Sequence, residues 1–190
     1  THYVDAWSSV TTPPQTLLLG NDGSDVRIID DNAASRARLA EYALGEVEFL
    51  QVPTRDRFLM EAMVIKPPDF DPATRYPVLQ YNYGGPHAPV VRNAWGGSRY
   101  LWHQLLAQRG YVIWMCDNRS ASGKGIAPTW EAYGRMGVIE LRDIEDGVAW
   151  LRSQSWVDGG RIGIWGWSYG GFMASYALTH SASFKAAIAG

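Results

Sequence analysis

Gly166-Trp167-Ser168-Tyr169-Gly170 sets a serine between two glycines at the spacing of a nucleophile elbow. The chemistry of that pattern is covalent: an exposed serine hydroxyl attacks a carbonyl carbon, and a base removes its proton. The serine must stand on a sharp turn from strand to helix. Only small residues on either side let the two backbones pass so closely. The context fits, since Arg161-Ile162-Gly163-Ile164-Trp165 reads as a strand entering the turn and Phe172 to Leu178 as a helix leaving it. A tetrahedral intermediate then needs donors for its oxyanion. One is the backbone N–H after the nucleophile, here Tyr169. The other comes from a loop after an earlier strand. Tyr81-Asn82-Tyr83-Gly84-Gly85-Pro86-His87 stands where that loop belongs.

The elements that must position these groups alternate in kind. Residues 1–31 read as short strands at Tyr3–Trp7, Leu17–Leu19 and Val26–Ile29, with a turn at Asn21-Asp22-Gly23. So few strands cannot stand alone and read as the end of a larger β unit. Asn32 is expected to cap a helix from Ala33 to Leu44, closed by Gly45. From residue 46 the chain reads as a hairpin turning at Arg55-Asp56, and then as strands and helices in turn. Strands fall at Val78–Tyr83, Tyr111–Met115, Arg161–Trp167 and Phe184–Ala189, and helices at Arg99–Gln108, around Leu141–Leu151, and at Gly171–His180. That order implies an α/β fold, a mostly parallel sheet with helices on both faces.

Composition narrows the function. Hydrophobic residues make up 46% of the 190 residues and charged residues 19%, a globular balance. Seventeen Lys and Arg against nineteen Asp and Glu give a net charge of −2, which speaks against a nucleic-acid or anionic-membrane surface. The lone Cys116 makes no intramolecular disulfide and reads as a buried structural thiol. The uncharged run from Ile162 to Phe184 is too rich in glycine and serine for a membrane span.

Other polar residues have plainer readings. His87 reads as a loop residue lining or supporting the site, and His2 and His103 as surface or boundary residues. Glu140, Asp143, Glu145 and Asp146 read as the solvated face of an amphipathic helix. Trp114, Trp150, Trp156 and Trp165 read as packing residues. Gly123-Lys124-Gly125 lacks the residues of a phosphate loop.

The motifs together resemble the prolyl oligopeptidase family of serine peptidases, in particular its dipeptidyl peptidase IV branch. The resemblance rests on Gly166-Trp167-Ser168-Tyr169-Gly170-Gly171, Tyr83-Gly84-Gly85-Pro86-His87, and Ser155-Trp156-Val157-Asp158 with Arg161-Ile162. It implies an α/β-hydrolase domain over 46–190, incomplete at its far end, joined by a connecting helix at 32–45 to the last strands of a β-propeller at 1–31. It makes Ser168 the nucleophile, and the Tyr83 hydroxyl with the Tyr169 N–H the oxyanion hole. The Tyr169 ring would line a pocket for the substrate's proline. The implied activity is release of N-terminal dipeptides after proline from a peptide substrate, with no cofactor or metal. Prolyl tripeptidyl, acylaminoacyl and oligopeptidase activities are the alternatives, with a non-catalytic relative beyond them. A soluble periplasmic or cytoplasmic enzyme, dimerising through the hydrolase domain, is the family's expectation.

Two departures stand out. Asp117-Asn118-Arg119-Ser120-Ala121 carries serine where the family's Asp-x-Arg-Gly-Ser has glycine, so that loop's backbone shape is at issue. After Ser168 there is no Asp or Glu, and the one histidine is His180. Twelve positions along a helix is roughly 18 Å, beyond proton transfer. The triad's Asp and His are therefore expected beyond Gly190, and these residues alone are expected to be inactive.

Overall fold

The computed structural model describes all residues 1–190. Strands β1 (His2–Trp7), β2 (Gln15–Gly20) and β3 (Asp25–Asp30) form an antiparallel sheet of their own, in the order β1-β2-β3. A short helix α1 (Ala33–Leu39) follows. The second sheet has six strands in the order β4-β5-β7-β6-β8-β9: β4 (Val47–Pro53), β5 (Leu59–Ile65), β6 (Tyr76–Tyr81), β7 (Val112–Cys116), β8 (Val157–Gly166) and β9 (Ala186–Ala189). β4, β5 and β7 pair antiparallel, while β7, β6, β8 and β9 run parallel. The antiparallel edge arises because β4 and β5 are joined by a tight turn, whereas the parallel strands are joined through helices. These helices are α2 (Gly97–Gln108), the five-residue α3 (Ile126–Trp130), α4 (Val138–Arg152) and α5 (Tyr169–His180).

β7 shows why the sheet must be covered twice. All five of its residues are buried. Val112, Trp114 and Cys116 join the larger core with Ile144, Val148 and Leu151 of α4 and Met173, Ala174 and Ala177 of α5. Ile113 and Met115 point the other way, into a smaller core with Tyr100 and Ala107 of α2. Each such side chain contributes about 1.5–3 kcal/mol by leaving water. The Trp114 and Trp150 rings stack at 5.1 Å, fastening α4 to β7.

Several expectations need correction. The helix expected to reach Leu44 ends at Leu39. It buries none of its residues, so no packing extends it. Asn32 has φ 51 and makes no side-chain cap; its amide donates instead to the Pro14 carbonyl at 2.6 Å. Gly45 is needed for close approach rather than as a stop, because a Cβ there would fall onto the Lys66 carbonyl. Tyr83 lies two residues past the end of β6.

The acidic face of α4 is the larger correction. Glu140 and Asp143 are wholly buried. Asp143 accepts from Arg119 Nε and Nη2, each at 2.9 Å, and Arg119 itself is buried. The same guanidinium reaches Asp56 at 2.7 Å and Glu131 at 3.0 Å, and lies over the Phe58 ring. Arg119 thereby ties the β4–β5 turn, the segment after α3, and α4 to one point. Its hydrogen bond and charge hold the Asp56 carboxyl well below the usual range.

His103 is also buried, against Tyr81, Trp102 and Trp165, and not at the surface. Burial, reinforced by the Arg99 charge, lowers its pKa to about 3. The unfolded chain then takes up this proton first on acidification, so the contribution of His103 to stability is complete above about pH 6.5. It is lost as pH falls from there toward about 3, by at most about 1.4 kcal/mol per pH unit. The urea stability of the wild type minus that of His103→Gln should shrink across that window. A difference that is flat with pH would contradict this.

Candidate active site

β8 ends at Gly166 and α5 begins at Tyr169, so two residues make the whole turn. Ser168 has φ 58 and ψ −121, a conformation that costs a non-glycine residue about 1–3 kcal/mol. Three hydrogen bonds hold it there: its N–H donates to the Gly190 carbonyl at 2.7 Å, its carbonyl accepts from Phe172 N–H at 3.0 Å, and Gly170 N–H donates to the Trp167 carbonyl at 2.8 Å. The residue is exposed at the tip of the turn.

The flanking glycines are fixed by space. A Cβ on Gly166 would fall onto the carbonyls of Asn82 and Gly170, and one on Gly170 onto the Asn82 carbonyl again. Asn82 is held in that place by its own N–H, which donates to the Trp165 carbonyl at 3.0 Å. The end of β6 therefore rests directly on the elbow. The chain then turns at Gly84 (φ 80) and delivers Tyr83 beside Tyr169, with ring centroids 6.1 Å apart. Gly85 lies against both rings, since a Cβ there would meet Tyr83 Cε1 at 2.7 Å and the Tyr169 ring at 3.3 Å.

The segment after β7 fastens this loop. Asn118 Nδ2 donates to the Gly84 carbonyl at 3.2 Å, and His87 N–H donates to the Ser120 carbonyl at 3.0 Å. Asp117 accepts the N–H groups of Val90 and Val91 at 2.9 and 3.0 Å, while burial pushes its carboxyl up to about 6. Ser120 keeps a negative φ and is buried, with its hydroxyl 2.7 Å from Asn118 Nδ2. No glycine is required there.

Ser168, Tyr169 and Tyr83 are thus brought to one place. The Tyr169 N–H, at the first position of α5, has no acceptor within the helix. An exposed serine hydroxyl next to such a donor can carry out acyl transfer once a base is supplied. No histidine ring is hydrogen-bonded to Ser168. His180 stacks on Tyr176 at 3.9 Å at the far end of α5, and its Nδ1 lies 2.8 Å from Thr179 Oγ1. His87 is exposed on its loop with φ 57. Cys116 is buried, and its thiol is pushed well above the usual range by that burial. No cluster of His, Cys, Asp or Glu side chains is built to hold a metal ion. No helix is long and apolar enough to cross a membrane.

One site residue escaped the reading of the sequence. Glu140 Oε1 accepts the Tyr169 hydroxyl at 2.7 Å, and its Oε2 accepts the Gly137 N–H at 2.8 Å. Burial first, and then the bond to Glu140, push the Tyr169 phenol well above the usual range. The available signal was the spacing Gly137-x-x-Glu140 ahead of an apolar run, half of a capping box.

A mostly parallel sheet with a strained serine between an interior strand and its helix defines an α/β-hydrolase domain, here beside a separate antiparallel sheet. The family model described as the prolyl oligopeptidase family matches residues 99–190, the part of the chain that holds the elbow. Dipeptidyl peptidase 4 of Trichophyton equinum is 32% identical over 179 residues, which are 93% of this chain and 23% of that protein. Dipeptidyl peptidase 8 of Mus musculus is 38% identical over 158 residues, 82% of this chain and 18% of the mouse protein. The crystal structure of Porphyromonas gingivalis dipeptidyl peptidase 4 superposes with a TM-score of 0.92 at 34% identity, covering 99% of this chain and 27% of that one. Pyrococcus horikoshii acylaminoacyl peptidase gives 0.79 at 26% identity, covering 99% and 29%. The chain spans about a quarter of the length of the relatives it matches.

The elbow's packing makes a direct prediction. Gly166→Ala should cost about 3 kcal/mol or more, because its Cβ meets backbone that cannot yield. Gly163→Ala, three residues earlier on β8, meets only Leu79 Cδ1 at 3.4 Å and the Ala186 carbonyl at 3.5 Å, and should be nearly neutral. Equal melting temperatures for the two variants would contradict the account.

Proposed function

We propose that Ser168 is the nucleophile of a serine peptidase that releases dipeptides from free N-termini after proline. The observation that carries this reading is the strained, exposed Ser168 held beside Tyr83 and the Tyr169 N–H. The similarity to dipeptidyl peptidases 4 and 8 supports the substrate class. Ser168 Oγ attacks the carbonyl carbon of the residue before the scissile bond and gives its proton to a histidine. The oxyanion accepts hydrogen bonds from the Tyr169 N–H and the Tyr83 hydroxyl. Collapse breaks the C–N bond, the amine leaves with the proton, and water hydrolyses the acyl-enzyme. In this reading the histidine and its acidic partner follow Gly190, in the order Ser, Asp, His. The sheet β1–β3 would be the end of a β-propeller, and residues 1–190 alone would be inactive.

The Pyrococcus acylaminoacyl peptidase supports a competing reading, in which the substrate's N-terminus is blocked. A free Xaa-Pro reporter and its N-acetyl form separate the two, assayed on the chain extended to its natural C-terminus. Cleavage of the free form alone, lost in Ser168→Ala, is the expected result. Cleavage of the blocked form would move the assignment to an acyl-peptide or endo-acting enzyme, and cleavage of neither would sink the dipeptidyl reading. Tyr83→Phe should lower kcat by about 10²–10³-fold with a much smaller change in KM, since an oxyanion donor acts in the transition state. A change confined to KM would argue against that role.

A further inference from the structure

Glu140 is a carboxyl group with no solvent contact and no basic side chain paired with it. One turn along α4, Asp143 has the Arg119 guanidinium as its counter-ion. Burying a carboxylate is costly unless its oxygens find donors. Glu140 has two such donors, and they lie on different elements. Gly137 N–H belongs to the start of its own helix, where the helix terminus also favours a negative group. The Tyr169 hydroxyl belongs to the residue directly after Ser168. A residue that only capped α4 would need a single oxygen and could remain in water.

The surroundings make this bond a strut. Gly137 has φ 91, and a Cβ there would meet the Phe172 and Tyr176 rings at 3.3 Å, so the start of α4 lies flush against α5. The Tyr169 ring stands edge-on to Phe172 at 5.3 Å, with the Tyr83 ring 6.1 Å from it. Packing of this kind constrains the ring's plane but leaves its hydroxyl end free to shift. The bond to Glu140 removes that freedom.

We propose that Glu140 is a positioning residue that fixes the Tyr169 ring beside the nucleophile and thereby sets which side chain is accepted at the residue before the scissile bond. This rests on the peptidase reading above, in which the ring is a wall of that pocket. Without the strut the ring would shift, and a compact ring such as proline would lose its advantage over alanine.

The test compares Xaa-Pro and Xaa-Ala reporters on the chain extended to its natural C-terminus. Glu140→Gln should lower kcat/KM for Xaa-Pro roughly tenfold, mainly through KM, and narrow the Pro-to-Ala ratio by a similar factor, as expected for losing a hydrogen bond to a charged group. Tyr169→Phe should do the same, and the double variant should be no worse than either single one. Effects that multiply, or an unchanged ratio in an active enzyme, would overturn the role of Glu140 alone. Should Glu140→Gln fail to fold, the ratio in Tyr169→Phe decides by itself. Independently of turnover, the ¹⁹F resonance of 3-fluorotyrosine at position 169, assigned by its loss in Tyr169→Phe, should move in Glu140→Gln. An unmoved resonance would overturn the strut. A wild-type enzyme that cleaves neither reporter would remove the peptidase reading and the selectivity role with it.

Discussion

The Asn82 carbonyl occupies the place where side chains at residues 166 and 170 would begin, and the geometry of the site follows from that contact. It locks the end of β6 to the turn between β8 and α5, so that Tyr83 emerges next to Tyr169. The division of labour around the turn is informative. Neither Gly166 nor Gly170 has positive φ, whereas Ser168 between them does. The glycines are there for close approach, and the serine itself carries the backbone strain. A turn built the other way, with glycine at the tip, would be relaxed but would present no hydroxyl.

Strain at residue 168 persists only if its surroundings over-determine it. Part of that restraint is β9, whose last register pair is Gly166 with Ala189 and whose following residue, Gly190, accepts the Ser168 N–H. More comes from α4, which supports the site from below through two buried acids solved in different ways. Asp143 is paired with Arg119, whose guanidinium is the hub joining three segments. Glu140 has no counter-ion and is satisfied by an N–H and a phenol. Replacing a well-paired buried ion pair by apolar residues is often neutral, while breaking one is not. The first acid therefore helps hold the scaffold together, and the second reaches Tyr169, the residue after Ser168.

Much of this was legible in the sequence. The elbow motif between an apolar strand and a helix located Ser168, and alternation of strands with helices indicated the layered sheet. Tyr83 became visible through the motif around it rather than through any periodicity. The failures share a physical cause. Helix α4 has an apolar stripe at Leu141, Ile144, Val148 and Leu151, and a stripe of that kind says which side faces the sheet but not what covers the flanks. Glu140 and Asp143 lie on a flank covered by Arg119 and Tyr169, and both partners are distant in sequence. His103 failed likewise: its neighbours Tyr81 and Trp165 come from strands that only the folded sheet brings under α2. The seven-residue α1 shows the reverse error, since capping and composition suggested a longer helix that no packing sustains.

Proton transfer is the step of the proposed chemistry for which no histidine ring within residues 1–190 is hydrogen-bonded to Ser168. His103 lies within the core layer under α2, and a ring whose basicity has fallen to about 3 is a poor proton acceptor at neutral pH. His180 is stacked at the opposite end of α5 from Ser168. His2 is exposed on β1, in the separate sheet. His87 shares the Tyr83 loop, but its N–H is tied to Ser120 so that the loop serves Tyr83. In the proposed chemistry, β6, β8 and α5 would organise attack and charge stabilisation as one packed unit. A base would have to approach the exposed hydroxyl of Ser168 from the solvent side of the turn. That separation matches the proposed chemistry, because the oxyanion donors must be fixed to within a few tenths of an ångström while the base has only to reach the serine's proton.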